Sequence, residues 1–470
     1  MRRHFLWMLA AILLCGTTVL LTSCSKDDSP SGDASSTKAK YGIIIYGNTG
    51  GNMDNIIEQG FFDKVAPLLS DPSKVRVGVC YKYGRDKDNT VGGYTFKHTF
   101  NGKYANAGQV VMFELNANTP LSEGSLGKNY GKDWPEMRMF DEETLTEVIN
   151  HFKTTMPAEK YIMLIYGHGG GWDQLNDYVR EAPEAGARGL TRGVLYDEWS
   201  ETAIGSDALT MYEFRRAVEK SQIPHFEGVF MHSCLMGNME SLADLYPISD
   251  YTISCMHSLA SGGESMVSLV KELLKGTDFP TSTEAAFKDC YEEANEGHAD
   301  CNGDMNLLDN KEFEKLLPIC KKLSSRLQTL YPDKKTEINK AIENDIYVAH
   351  PDFIFVDLQY YADQMAKATG DAELKTIAEE LKAQMNKTIL AANHYYNSPY
   401  AKGIKPDFSL SVVAVDHNAY IGEAGLTHSF KTAYEYTNFH KQTGWGDWLN
   451  ILEAKPTENN PAGDKSSLYF

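Results

Sequence analysis

Hydrophobic positions along the chain follow two alternating rhythms. Short apolar or β-branched runs at Tyr41–Tyr46 (YGIIIY), Val75–Tyr81, Tyr161–Tyr166, Gly228–Met231 and Tyr251–Met256 read as strands buried on both faces, as in a parallel sheet covered by helices. Between them the spacing turns helical: Ile56, Phe61, Val65 and Leu68 after the first run, then Glu142–Phe152, Ser206–Lys220 and Met236–Leu245. Strand, helix, strand in this order predicts βαβ units and an α/β fold. Residues 92–141 break the rhythm with short alternating aromatic pieces (YTFKHTF, QVVMFEL), a hairpin-like insertion. From Lys311 onward the pattern is mostly helical: EFEKLLPICKKLSSRLQTL, VDLQYYADQMAKA and AELKTIAEELKAQMNKTILAA, with one late strand at Phe408–Val415 and a closing aromatic helix at Tyr434–Trp448. The expected organisation is a core over 41–310, a helical C-terminal subdomain with a late strand over 311–454, and a loose tail over 455–470.

Two of the strand-like runs end in reactive side chains. YIMLIYGHGGGW ends at His168 and GVFMHSCLMGNME at Cys234, and ligands in such sheets bind at the carboxyl ends of strands. If the two strands are neighbours, a thiol and an imidazole meet, the minimum for nucleophilic acyl transfer. Gly169, Gly170 and Gly171 would let backbone N–H groups approach a carbonyl oxygen, and the backbones of Gly169 and Cys234 are the candidate oxyanion donors. The helix expected from Met236 would turn its N-terminus toward Cys234 and favour a thiolate.

HGGGW after a strand, followed by a strand ending in CLMGNMES, resembles the clostripain-like cysteine peptidases of the caspase-type clan (peptidase C11). TLTEVINHF, GVLYDEWS, LTMYEFRRAVEKS and FKTAYEYTNFHKQTGWGDWLNIL follow in family order, so the resemblance spans about Tyr41 to Leu452. It implies a caspase-like α/β/α sandwich and a His168–Cys234 dyad that needs no cofactor. It also implies an acidic-loop residue, Asp197, for which a turn or helix cap is the structural alternative, and a pocket for a basic side chain with Glu264 as the carboxylate partner. Two residues before the nucleophile the family has an Asp associated with the pocket for a basic side chain; this chain has His232 there, so His232 joins Glu264 and Asp197 as a candidate pocket residue and basic specificity is weakened. Relatives are often activated by self-cleavage after a basic residue between His and Cys. Arg180, Arg188 and Arg192, in the polar stretch 173–192, are the candidates here, and an exposed loop that merely contains arginines is the alternative.

The N-terminus and the composition change the picture further. Arg2, Arg3, an apolar run from Phe5 to Leu21 and the sequence LTSC read as a signal peptide over 1–23 with a lipobox. Cys24 is then the lipidated residue, and the Ser- and Asp-rich stretch 24–40 is a disordered tether. That predicts a bacterial outer-membrane or cell-surface location, with membrane contact through the N-terminal lipid only. The 470-residue chain carries a net charge of −19 with no basic block, so nucleic acid is an unfavourable partner; the expected partners are protein or peptide substrates. Of eight cysteines, Cys80 and Cys255 read as buried strand thiols, and a Cys290–Cys301 bridge is possible but not required. GNTGGN lacks the Lys-Ser/Thr of a phosphate loop. His225, His232 and His257 lack zinc-site spacing relative to Cys234. Asp300, Asn302, Asp304 and Asn306 superficially resemble a calcium loop, but Gly303 precedes Asp304 and Lys311 stands where a bidentate Glu belongs, which leaves calcium a minor possibility. Two functional classes follow: a cell-envelope cysteine endopeptidase cutting after Arg or Lys, and a catalytically inactive surface binding lipoprotein on the same scaffold.

Overall fold

In the computed structural model the described residues are 38–49, 53–84, 87–91, 94–98, 102–104, 107–119, 137–171, 194–197, 207–257, 259, 264–295, 304–346, 348–350, 355–394, 410–414, 416 and 434–455. Cys24, Arg180, Arg188, Arg192, residues 24–37 of the tether and 456–470 of the tail lie outside them, while Ala39 and Lys40, expected in the disordered tether, begin the first strand of the main sheet. The apolar runs form an eight-stranded mixed sheet: β1 (Ala39–Asn48), β2 (Val75–Lys82), β3 (Val110–Leu115), β4 (Ala158–Gly167), β5 (Phe226–His232), β6 (Ser249–Cys255), β7 (Asp304–Asp309) and β8 (Ile389–His394). Their order across the sheet is β8-β7-β6-β5-β4-β1-β2-β3. The five strands from β6 to β2 run parallel, while β3 and β7 pair antiparallel to their neighbours.

The parallel strands are apolar throughout because both faces are covered. Ile44, Tyr46, Met163, Ile165, Val229 and Met231 pack on one face with helices α1 (Glu142–Thr155), α2 (Met211–Lys220) and α3 (Met239–Leu245). Ile43, Ile45, Ile162, Leu164, Phe230 and Ile253 pack on the other with the helical stretch 54–68, α4 (Glu264–Leu274) and α5 (Phe279–Asn295). The period-two alternation of the strands therefore separates two cores rather than core from solvent.

Beyond residue 310 come the long kinked helix α6 (Leu316–Asn344), α7 (Leu358–Thr369), α8 (Ala372–Thr388), α9 (Asn438–Thr443) and α10 (Trp445–Ile451). A three-stranded sheet of Val348–His350, Phe355–Asp357 and Ser411–Val413 accompanies them. Three elements differ from the sequence reading. The helix expected to run through ILAA ends at Thr388, and Ile389–His394 joins the main sheet as β8 against β7, a tertiary pairing that overrides local helical preference. The closing aromatic helix is two helices divided at Gly444, which has a left-handed φ of 68°. The helix after the Cys run begins at Met239 because Asn238 caps it, its side chain accepting from Ser241 N at 2.8 Å. No helix among the described residues is long and apolar enough to cross a membrane.

Candidate active site

Strand register brings the two reactive side chains to the same height. β4 and β5 are adjacent and parallel, and their last aligned pair is Tyr166 with His232. His168 and Cys234 each lie two residues beyond that pair, at the carboxyl ends of two central strands. The loops that follow are in backbone contact. A Cβ on Gly169 would overlap the Cys234 carbonyl oxygen and come within 2.9 Å of Ser233 Cβ and 3.0 Å of Cys234 N, so only glycine permits this approach. The two backbones expected to offer N–H groups to an oxyanion are thereby side by side.

The His168 loop is held from outside. Leu195 N donates to His168 O at 3.2 Å, and the buried Leu195 packs over Gly167. Leu195 belongs to the short strand Val194–Asp197, which pairs with Asp207–Leu209; Asp197 is therefore on the segment that supports the histidine, with its side chain outside the described residues. Gly171 adopts a φ of 94°, and a Cβ there would lie 2.5 Å from Phe355 Cζ, so the ring occupies the space that a side chain would need.

The Cys234 loop is held by hydrogen bonds. Leu235 N donates to His257 O at 3.1 Å, Gly237 N to Cys255 O at 2.5 Å, and Ser411 N to Gly237 O at 3.0 Å. Leu235 has a φ of 63°, a left-handed conformation that costs a β-carbon residue about 1–3 kcal/mol and persists only where its surroundings dictate it. Asn238 Nδ2 closes the turn on Leu235 O at 2.7 Å. The Cys234 thiol is part-buried, and its sulfur accepts from Leu259 N at 3.2 Å. Burial pushes its pKa up, and that backbone N–H only partly opposes the shift. Four residues separate Cys234 from α3, and burial, the largest influence on the thiol, opposes the thiolate that a helix N-terminus would favour.

The remaining candidates divide. His232 is 4% exposed and stacks on Tyr166 with ring centroids 5.2 Å apart, next to Phe230 at 5.7 Å; it lies below the dyad loops. Glu264 is the first residue of α4, with its side chain outside the described residues. His225 precedes β5 at the opposite end of the strand from Cys234 and lies 3.5 Å from Asp250. Of the calcium-like stretch, Asp304–Asp309 is strand β7 with Asn306 buried, and residues 300–303 are outside the described set. Cys290 is a buried free thiol, as are Cys80 and Cys320, and Cys255 is a buried thiol whose Sγ donates to Ser233 O and His257 O.

Sequence reasoning missed Glu240. This carboxyl is buried in α3, where Oε1 accepts from Val413 N at 3.0 Å and from Tyr434 OH at 2.5 Å. The available signal was a lone Glu in the apolar run LMGNMESLADL. It missed Asp54 too, which accepts from Tyr81 OH at 2.7 Å, Gly84 N at 3.2 Å and Thr49 Oγ1 at 3.3 Å. Burial pushes both carboxyls up to about 7.

Comparison with known proteins finds a family match for the chain. The model of the clostripain family, peptidase C11, matches residues 112–451. A secreted C11 cysteine protease of Bacteroides thetaiotaomicron, "iotapain", superposes with a TM-score of 0.57 at 15% identity, covering 86% of this chain and 99% of that one. A secreted C11 protease of the same species bound to an irreversible peptide inhibitor gives 0.53 at 12% identity, covering 87% and 99%. An inactive zymogen C11 protease of Parabacteroides distasonis gives 0.55 at 14% identity, with the same coverage. These neighbours share the caspase-like fold. No curated protein matches the chain.

Proposed function

Because the chain belongs to the clostripain family, we propose that it is a cell-envelope cysteine endopeptidase in which His168 and Cys234 form the catalytic dyad. The observation that carries this reading is the β4–β5 register, which sets both residues two positions past an aligned pair. His168 removes the Sγ proton as the sulfur attacks the scissile carbonyl carbon. The backbone N–H groups of Gly169 and Cys234 stabilise the developing oxyanion. Collapse of the tetrahedral adduct breaks the C–N bond, and His168 returns the proton to the departing amine. Water, deprotonated by His168, then attacks the thioester, releasing the carboxyl product and restoring the thiol. Burial of the thiol disfavours the bare thiolate, which supports proton transfer to His168 during attack.

The proposed specificity is for Arg, or Lys, on the acyl side of the bond, with Glu264 as carboxylate partner and the Asp197 segment flanking the site. A basic side chain entering a desolvated pocket needs such a partner. Arg180, Arg188 and Arg192 are then sites of self-cleavage, and lipid on Cys24 anchors the enzyme to the envelope. Residues 41–310 form most of the peptidase core, whose sheet β8 completes from beyond residue 310, and the rest of 311–454 forms the mostly helical subdomain with its late strand.

A second reading, a binding lipoprotein without catalysis, is favoured by the placement of His232 under Tyr166, where a family aspartate would otherwise stand. Fluorogenic peptides with Arg, Lys or Leu before the reporter distinguish the two. The endopeptidase reading expects turnover of the Arg peptide, abolished in Cys234→Ala, and an at least ~10-fold loss of Arg over Leu preference in Glu264→Gln, the scale of losing a charged partner. No turnover, together with no labelling of Cys234 by a peptidyl thiol-reactive probe, would establish the binding reading instead.

A further inference from the structure

Glu240 sits six residues after the candidate nucleophile and has no solvent contact to explain its charge-bearing side chain. Its Oε1 takes two hydrogen bonds from segments far along the chain: the backbone N–H of Val413, 173 positions away, and the Tyr434 hydroxyl, 194 positions away. Its Oε2 is buried with no hydrogen-bond partner among the described residues. A buried polar oxygen left unsatisfied is unfavourable, so stability alone is a poor account of this residue.

The strand it grips also holds the Cys234 loop. Ser411 N, two residues before Val413, donates to Gly237 O at 3.0 Å, and Asn238 bridges Ser411. Phe355, aligned with Val413 in the small sheet, packs against Gly171 of the histidine loop. Trp445 Nε1 donates to Val413 O at 2.7 Å, and Asn438 Nδ2 bonds Ala243 O at the far end of α3 at 2.5 Å. The small sheet thus touches both loops of the dyad, through Ser411 on the cysteine side and Phe355 on the histidine side, and Glu240 locks the nucleophile's helix to its strand Ser411–Val413.

We propose that Glu240 is a positioning residue for catalysis: through Val413 N and Tyr434 OH it clamps the Cys234 loop to the strand Ser411–Val413, fixing the sulfur against His168. The inference rests on the peptidase reading above. The role requires an acceptor, not a charge. Among the described residues, Tyr434 and the Cys320 thiol are ionisable groups facing this carboxyl, and neither supplies a positive charge, in keeping with a carboxyl whose pKa is pushed up to about 7 by burial. Gln offers the same acceptor and is the conservative replacement; Ala offers none.

The test uses the full chain with Glu240→Gln, Glu240→Ala and Tyr434→Phe. It reads kcat and KM on the best peptide substrate, alkylation of Cys234 by iodoacetamide, and thermal unfolding. Positioning predicts that Glu240→Ala lowers kcat by ~30-fold or more with KM within ~3-fold, because binding survives while alignment of the reacting atoms does not. It predicts recovery to within ~3-fold of wild type in Glu240→Gln, and an intermediate kcat in Tyr434→Phe. If Glu240→Ala does not fold, Tyr434→Phe against Glu240→Gln decides alone. Wild-type kcat per folded molecule in Glu240→Ala, or in Tyr434→Phe where the alanine variant does not fold, overturns the proposal. So does equal damage by Gln and Ala. A wild-type protein with neither turnover nor labelling of Cys234 by a peptidyl thiol-reactive probe refutes the peptidase reading, whereas a normal wild type with unaffected variants refutes only the role of Glu240.

Discussion

The two loops that meet at the site are fixed by opposite means. The His168 loop depends on side chains that are missing: Gly169 lies against the Cys234 backbone, and Gly171 leaves room for the Phe355 ring. The Cys234 loop depends on hydrogen bonds from elsewhere, to Cys255, His257 and Ser411, and these hold Leu235 at a positive φ. Each loop also has a buried carboxyl behind it. Asp54 stands at the histidine side, because the β1–β4 register ends with Asn48 aligned to Gly167, the residues just before Thr49 and His168; its partners Thr49, Tyr81 and Gly84 all lie within 30 positions. Glu240 stands behind the cysteine side and reaches across most of the C-terminal region. The difference separates a loop shaped by steric permission from one shaped by long-range bonding, and the two should fail differently.

Removing either reactive group sets the scale. Cys234→Ala and His168→Ala should each reduce kcat/KM by ~10³-fold or more, as loss of a nucleophile or its base does, with the thermal midpoint close to wild type. Retained turnover in purified Cys234→Ala protein would show that neither loop matters in the manner described. Next is the steric loop. Gly169→Ala should cost ~10²-fold in kcat, because the added methyl forces the histidine loop off the Cys234 backbone and small displacements of reacting groups have that consequence. Peptidyl-probe labelling of Cys234 should fall in parallel. An unimpaired Gly169→Ala enzyme would mean that the close approach is dispensable.

The bonded loop should fail more gently and more selectively. Asn238 uses both ends of its amide, Nδ2 to Leu235 O and Oδ1 from Ser241 N. Asn238→Asp keeps the helix cap and loses only the bond that closes the turn on Leu235, whereas Asn238→Ala loses both. The expected order is about 1 kcal/mol of stability from the cap for Ala beyond Asp, with a similar ~10-fold fall in kcat in both variants. If Asp retains full kcat while Ala loses it, the cap rather than the turn controls the loop.

These loops also mark what could be read from residues alone. Buried parallel strands are nearly continuous apolar runs, so YGIIIY and YIMLIYG were legible, and with them the sheet and the ends at which His168 and Cys234 stand. β8 was not legible, because ILAANH continues a helical pattern and becomes a strand only by pairing with β7. Glu240 was legible only as an oddity in an apolar run, because its meaning lies in Val413 and Tyr434, and no local period records a partner 173 or 194 positions away. His232 was read as a pocket residue from its place before the nucleophile. Its burial against Tyr166 and Phe230 follows from strand alternation into the second core.

The smallest expected effect concerns the two carboxyls and is a matter of stability. Burial raises Asp54 from 3.8, and Glu240 from 4.5, to about 7. The folded protein therefore holds these protons more tightly than the unfolded chain. Their contribution is fully present below about pH 4 and is lost as pH rises toward 7, with a slope of at most about 1.4 kcal/mol per pH unit for each group. Asp71, Asp278, Glu312, Glu337 and Asp371, whose pKa values are lowered by hydrogen bonds, act in the opposite sense as pH falls, so the total need not be monotonic. The difference between wild type and Asp54→Asn isolates one group. Asn retains an acceptor for Tyr81 OH but cannot titrate, so wild type should gain about 1–3 kcal/mol on the variant between pH 7 and pH 5 in urea unfolding. Because the Asp54 network closes locally, kcat of Asp54→Asn should stay within ~3-fold of wild type, unlike Glu240→Ala. A pH-independent difference would mean that Asp54 is ionised in the fold. A loss of kcat as large as that of Glu240→Ala would mean that the histidine loop, too, is set by a buried carboxyl and not by the room its glycines leave.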